Sequence, residues 1–321
     1  MLRGVFALTV FCASAFAGTE PAGAILVSEQ LRLEGKFAQA DALLRSALSR
    51  IDRNSEPARR GALLNGLGCV AQEADNFALA EHYYLQSIRV LEKAFGTDSI
   101  QIAVPLDNLG SLYLACGRYA QSEQFRRRSL RIRTTRLGPD HPGVAAIWNN
   151  LAIVAWAQGH RDRAATLAGN ALAIYRKNGT PDGLELAPVY NVLGLVATFK
   201  EDLPDAHTQL HRVVEIYERA AGAETSALIN PLANLGAVEM LSGSYAEGQA
   251  TFCRALNLAE RLLGPGHRAV AQVLTNYSKV LRRLHRPALA KPLEKRAAEI
   301  RKLHATDTVQ RNTVDVHSWG L

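Results

Sequence analysis

His207 and His211 stand four residues apart in a segment of helical periodicity, the spacing that aims two imidazoles from one helix face at a metal ion. The intervening Thr208-Gln209-Leu210 lacks the glutamate of an HExxH site and no third ligand accompanies the pair, so a solvated helix face and no metal is expected. Gly66-Leu67-Gly68-Cys69-Val70-Ala71 imitates a dinucleotide fingerprint, but no strand precedes it. Arg126, Arg127, Arg128, Arg131, Arg133 and Arg136 form a dense basic stretch of the kind that meets anionic lipid, nucleic acid or an acidic protein. It lacks the aromatic interleaving of a base-stacking surface, and Glu92 and Glu123 lie where they can pair with part of it. A solvated face is expected, with Arg126, Arg127, Arg128 and Arg131 as a possible second basic surface and no nucleic-acid partner. No Ser/His/Asp arrangement, GxSxG elbow or P-loop appears, which points to binding without a cofactor. An enzyme would have to assemble its site from distant segments, and its signature would be a pocket joining His207 or His211 to a carboxylate.

The elements that position these residues begin after a separate leader. Arg3 precedes an uncharged run of about 13 residues, Gly4 to Phe16, ending in Ala15-Phe16-Ala17. This reads as a signal peptide over 1–17, too short for the ~20 residues that span a bilayer. Export to the periplasm or outside the cell is expected, with no membrane contact beyond export. The leader carries one Arg and no acid, leaving 36 basic and 30 acidic residues, a modest excess. Cys69, Cys116 and Cys253 are odd in number and lack CxxC spacing, so free buried thiols are expected and not a disulfide scaffold.

Aligned against itself, the remaining chain repeats. Small residues Ser28, Gly68, Gly110, Ala152, Gly194, Gly236 and Ser278 follow one another at 40 and then five times 42 residues. An apolar residue, or Tyr277 in the last copy, precedes each of these anchors. Twelve residues after each anchor comes Ala40, Ala80, Ser122, Ala164, Ala206, Gly248 or Ala290, and seven further on another residue that is small except for Val213. Small side chains at these offsets let two helices approach closely. Turns such as Gly117-Arg118-Tyr119 and Gly159-His160-Arg161 divide each copy into two helices. Gly96, Gly138, Gly222 and Gly264, each 28 residues past an anchor, are expected as left-handed C-terminal caps. The expected fold is all-α, an α-solenoid over 18–304 followed by a tail, 305–321.

The segment Leu137-Gly138-Pro139-Asp140-His141-Pro142-Gly143-Val144-Ala145, followed by Asn149-Asn150-Leu151-Ala152, Gly159-His160 and Ala171-Leu172-Ala173-Ile174-Tyr175, resembles the tetratricopeptide repeat family in the lengthened form of kinesin light chains. Leu263-Gly264-Pro265-Gly266-His267 echoes it, and the resemblance covers about residues 20 to 304. It implies a right-handed superhelix whose first helices line a concave groove for peptides or protein segments. Groove positions carried over by register lie three before and one, four and five after each anchor. They select Asn65, Asp107, Asn149 and Asn191, with Ile153, Trp156, Leu195, Phe199 and Met240 in the middle. Asparagine amides can pair with a ligand main chain, while exposed aromatic and methionine side chains anchor apolar groups. In the competing arrangement Trp156 and Phe199 bury against the next repeat and the asparagines bond within the solenoid. One subclass clamps C-terminal carboxylates with an Asn one residue after the anchor. This chain has Glu29, Cys69, Ser111, Ile153, Leu195, Ala237 and Lys279 there, so that ligand is not expected.

The expected function is an exported, non-enzymatic scaffold for a protein or peptide partner. A self-associating structural protein and an enzyme assembled across repeats are the other two classes. Thr313-Val314-Asp315-Val316-His317-Ser318-Trp319 in the tail is β-prone.

Overall fold

The computed structural model describes residues 20–33, 35–52, 56–179 and 183–311. The leader over 1–17 and the β-prone tail segment lie outside the described residues. Among the described residues fourteen α-helices alternate as first and second members of seven helix pairs, and there is no strand. The first helices are α1 Glu20–Leu33, α3 Pro57–Glu73, α5 Ala103–Ala115, α7 Pro142–Ala157, α9 Ala187–Phe199, α11 Ile229–Leu241 and α13 Arg268–Arg283. The second helices are α2 Phe37–Ser49, α4 Phe77–Phe95, α6 Tyr119–Leu137, α8 Arg161–Lys177, α10 Leu203–Ala221, α12 Tyr245–Leu263 and α14 Pro287–Arg311. Helix α14 continues past residue 304, where the sequence reading ended the repeats. None of the described helices is long and apolar enough to cross a membrane. The chain divides between Val154 and Ala155 into an N-terminal and a C-terminal unit.

At glycine anchors a large buried side chain sixteen residues on lies against the glycine: a Cβ on Gly68 would stand 2.5 Å from the Tyr84 ring, and one on Gly194 would stand 2.7 Å from Leu210 Cγ. After the non-glycine anchors Ala152 and Ser278 the position holds Ala168 and Glu294 instead. The small residues on the second helix do more than make room. Ser122 donates to Gly110 O at 2.6 Å, Ser87 to Gly61 O at 2.7 Å and Ser129 to Ala103 O at 2.9 Å, pinning second helices to first-helix carbonyls. Before the anchor, Leu67, Leu109, Leu151 and Leu235 are buried, whereas Val27 in the terminal copy is exposed.

The turns obey the same register. Seven residues after each anchor the backbone turns left-handed, at Gly35, Gly117, Gly159 and Gly243 with φ between 72° and 92°. Asp75, Glu201 and His285 occupy the same position at φ 62°, 63° and 57° without glycine's freedom. The helix-ending glycines depart from the expected left-handed cap. Gly96, Gly138, Gly222 and Gly264 combine φ of 78° to 91° with ψ of 151° to 172°, an extended region open essentially to glycine alone. The histidines of the Gly-Pro-x-His segments are helix caps, with His141 Nδ1 accepting from Gly143 N at 2.9 Å and His267 Nδ1 from Ala269 N at 3.1 Å.

The second helices carry an ion-pair ladder within each unit. An Arg eighteen residues after an anchor meets a Glu 36 positions earlier in Arg254–Glu218 at 2.6 Å, Arg128–Glu92 at 2.6 Å and Arg296–Glu260. In the same register α8 and α10 carry Arg176 and Arg212, two like charges, and the Arg212 guanidinium lies 5.4 Å from the Tyr190 ring centroid.

Candidate functional site

The residues three before each anchor do not simply line a groove. Asn108 Nδ2 donates to Asn65 Oδ1 at 2.9 Å, Asn150 Nδ2 to both oxygens of Asp107 at 3.1 and 3.0 Å, and Asn234 Nδ2 to Asn191 Oδ1 at 2.9 Å. Each rung spans 43 residues and joins consecutive first helices, so the carbonyl half of the side chain is spent inside the solenoid. The donors, two residues before the anchor, were missed by the sequence reading, although Asn recurs there as Asn108, Asn150, Asn234 and Asn276. Asn149 lacks such a rung. It is 5% exposed, its Oδ1 has no hydrogen-bond partner among the described residues, and the residue 43 positions on is Val192, which has no side-chain donor.

In the N-terminal unit, Ile153 is 4% exposed and closed to a ligand. Arg32 and Glu73 form a two-bonded pair at 2.9 and 2.5 Å. Burial, the largest single influence, opposes the Arg32 charge, but the Glu73 hydrogen bond together with the charges of Cys69, Glu73 and Tyr84 outweighs it and holds the guanidinium above its usual range. Cys69 accepts from Tyr84 Oη at 3.5 Å and Asn108 Nδ2 at 3.6 Å, and burial pushes its thiol up. None of Cys69, Cys116 and Cys253 is in a disulfide, but Cys116 and Cys253 are exposed, contrary to the buried thiols expected.

In the C-terminal unit, the middle of the row is an aromatic and cationic patch. The Arg161 guanidinium lies 3.7 Å from the Trp156 ring centroid and 5.1 Å from that of Phe199, and donates to Trp156 O at 2.5 Å. Phe199 is 61% exposed, Trp156 and Leu195 are half-buried, and Lys200 pairs with Asp162 at 2.7 Å beside them. Arg161 was not selected by register, because the turn folds it back onto the rings. Met240 is corrected as a groove residue: it is 2% exposed, and a Cβ on Gly248 would lie 2.4 Å from its Cγ, so it packs down onto that glycine.

The basic stretch is not one surface. Arg126 is 2% exposed and sits over Gly110, at the position that Leu44, Tyr84, Leu210 and Phe252 fill in other copies. It donates to Asn150 O at 2.5 Å and Ser111 Oγ at 2.8 Å, with Asp107 3.6 Å from its Nε. Burial lowers its pKa and the Asp107 charge opposes that shift. Arg127 pairs with Glu123 at 2.7 Å, Arg128 with Glu92 at 2.6 Å, and Arg131 lies 4.0 Å from Asp98.

His211 Nδ1 lies 3.3 Å from Glu215, and its ring stacks on His207 at 5.8 Å. His207 does share a cleft with carboxylates, Glu239 and Glu247, but its Nε2 is 4.0 Å from Glu239 Oε1. Ser242 in that cleft donates its hydroxyl to Val238 O at 2.9 Å, away from the imidazole. No group of three or more His, Cys, Asp or Glu able to hold a metal occurs among the described residues.

Tetratricopeptide repeat profiles match residues 61–101, 101–177 and 227–302. No curated protein matches the sequence. Among solved structures, BtubC (BKLC) from P. vanneervenii is similar at a TM-score of 0.54 and 20% identity, over 77% of this chain and 94% of that one. The Rap conjugation gene regulator of plasmid pLS20, solved in complex with the Phr* peptide, is similar at 0.69 and 13%, over 97% and 83%. The apo form of RapI is similar at 0.67 and 14%, over 88% and 98%. At these identities the likeness is one of fold.

Proposed function

We propose, because this chain belongs to the tetratricopeptide repeat family, that it is an exported, non-enzymatic scaffold that binds a peptide or an extended protein segment along the first helices of its repeats. The observation that carries the reading is the Trp156–Arg161–Phe199 patch, where an aromatic ring 61% exposed stands beside a guanidinium held by two rings. A rigid apolar anchor next to a fixed cation is the composition of an interaction hot spot. In the same unit as the patch, Asn191, whose carbonyl half serves the ladder, offers an N–H2 donor to a ligand carbonyl, and Asn65 has the same arrangement within the N-terminal unit. The structural likeness to a regulator solved with a peptide supports the same ligand class. We assign no reaction, cofactor or nucleic-acid partner to the chain.

Affinity capture from an extract of the source organism with residues 18–321, beside a Phe199→Ala, Trp156→Ala variant, tests this reading. A partner retained by the native chain and lost from the folded variant supports the groove. Equal retention by both places binding elsewhere and sinks it. Export is tested separately: the secreted or periplasmic protein should begin at Gly18 on N-terminal sequencing, and an intact Met1 in a cytoplasmic fraction would overturn it.

A further inference from the structure

We propose that the cleft between α10, α11 and α12 binds the arginine side chain of a protein partner, whose guanidinium pairs with Glu239. The cleft, about 670 Å³, is lined by Leu203, Pro204, His207, Glu239, Ser242, Ser244 and Glu247, with two carboxylates and neither Lys nor Arg. The Glu239 side chain is 11% exposed, and its Oε2 is buried without a hydrogen-bond partner among the described residues. Its other oxygen is 4.0 Å from His207 Nε2, beyond hydrogen-bond reach. A carboxylate so shielded and so poorly paired is costly in the free protein and is relieved by a cation that brings N–H donors with it.

The N-terminal unit shows what fills the equivalent place. Between α4, α5 and α6, Glu81 stands thirteen residues after its anchor, as His207 does, and Tyr113 three after its own, as Glu239 does. Glu81 accepts from Tyr113 Oη at 2.7 Å and pairs with Arg118 Nη1 at 3.4 Å, while the Arg118 guanidinium lies 4.3 Å from the Tyr113 ring centroid. In the C-terminal cleft the acid and the ring have exchanged sides, and the position of Arg118 is Ser244. The two backbones match there, with φ −83° and ψ 62° at Arg118 against φ −76° and ψ 61° at Ser244, and neither side chain caps its helix. One cleft supplies its own guanidinium and the other keeps the carboxylate and the ring without one. A guanidinium is favoured over an ammonium because its planar fork brings several N–H donors to a carboxylate in one fixed geometry.

The inference rests on the scaffold reading only for the source of the arginine. Its test uses Ac-Gly-Arg-Gly-NH2 and the same peptide with citrulline, titrated into the 15N-labelled full chain and followed by amide NMR. The arginine peptide should shift the amides of Glu239 and residues 242–247 saturably, with at least tenfold weaker binding of the citrulline peptide and of the arginine peptide to Glu239→Gln. Ser244→Arg, which supplies the guanidinium in cis, should abolish the shifts while keeping the helical circular-dichroism signal. Equal response to citrulline, unchanged affinity in Glu239→Gln, or no shift with the arginine peptide overturns the proposal. So does zinc chloride alone shifting the same amides at lower concentration than the peptide. Phe199 does not line this cleft, so these outcomes leave the groove test untouched.

Discussion

Replacing Arg126 by leucine should destabilise the N-terminal unit by about 3 kcal/mol, and adding Asp107→Asn should restore most of it. Arg126 loses two bonds as a charged donor, to Asn150 O at 2.5 Å and Ser111 Oγ at 2.8 Å, each worth about 1.5–3 kcal/mol. Removing one member of a buried pair typically costs about 3–5 kcal/mol through the charge left behind. Asp107 keeps both Asn150 contacts and is 15% exposed, so the low end applies. The double variant rewrites this copy in the residues of its neighbours, an Asn–Asn rung like Asn65–Asn108 and a leucine over glycine like Leu210 over Gly194. With no charge left to desolvate, it should lie within about 1 kcal/mol of the native chain. Urea unfolding by circular dichroism, with hydrogen exchange of α5 and α6 amides to isolate this unit from the rest of the solenoid, measures both steps. A single variant as stable as the native chain, or a double variant no better than the single, refutes the reasoning.

Three further outcomes follow from the same register. His285→Gly should raise stability by about 0.5–1 kcal/mol, the left-handed strain at φ 57° less glycine's extra unfolded-state entropy, read as a higher melting temperature. Arg176→Glu should complete the ladder with Arg212 and add about 0.5 kcal/mol in dilute buffer, a gain that must vanish at about 1 M salt in paired urea titrations. Burial holds the Tyr217 hydroxyl at about 12 against an ordinary 10, so its neutral form stabilises the fold fully below pH 10 and that contribution is lost as pH rises towards 12. Tyr217→Phe should therefore remove a loss of about 3 kcal/mol over that interval, and an alkaline unfolding curve of unchanged slope would contradict the burial argument.

The sequence by itself determined the repeat. Small anchors at a spacing of 42, glycines seven and 28 residues later and a leucine before most anchors are demands of backbone conformation and helix contact, which recur wherever the same hairpin recurs. What each copy does with its freedom was decided by tertiary structure. Composition marks Arg126 as one of six surface cations, yet its place over Gly110 puts it inside, because burial depends on helical phase relative to a neighbour. The register placed Trp156 and Phe199 in one row, but only the folded turn brings Arg161 between them. Asn65 and Asn191 were legible as first-helix amides, while their partners 43 residues away were not, since a hydrogen bond between repeats needs the stacking distance and angle. Glu239 and Ser244 carried no motif at all. Their meaning comes from a cleft whose counterpart in another repeat contains the arginine that this one lacks.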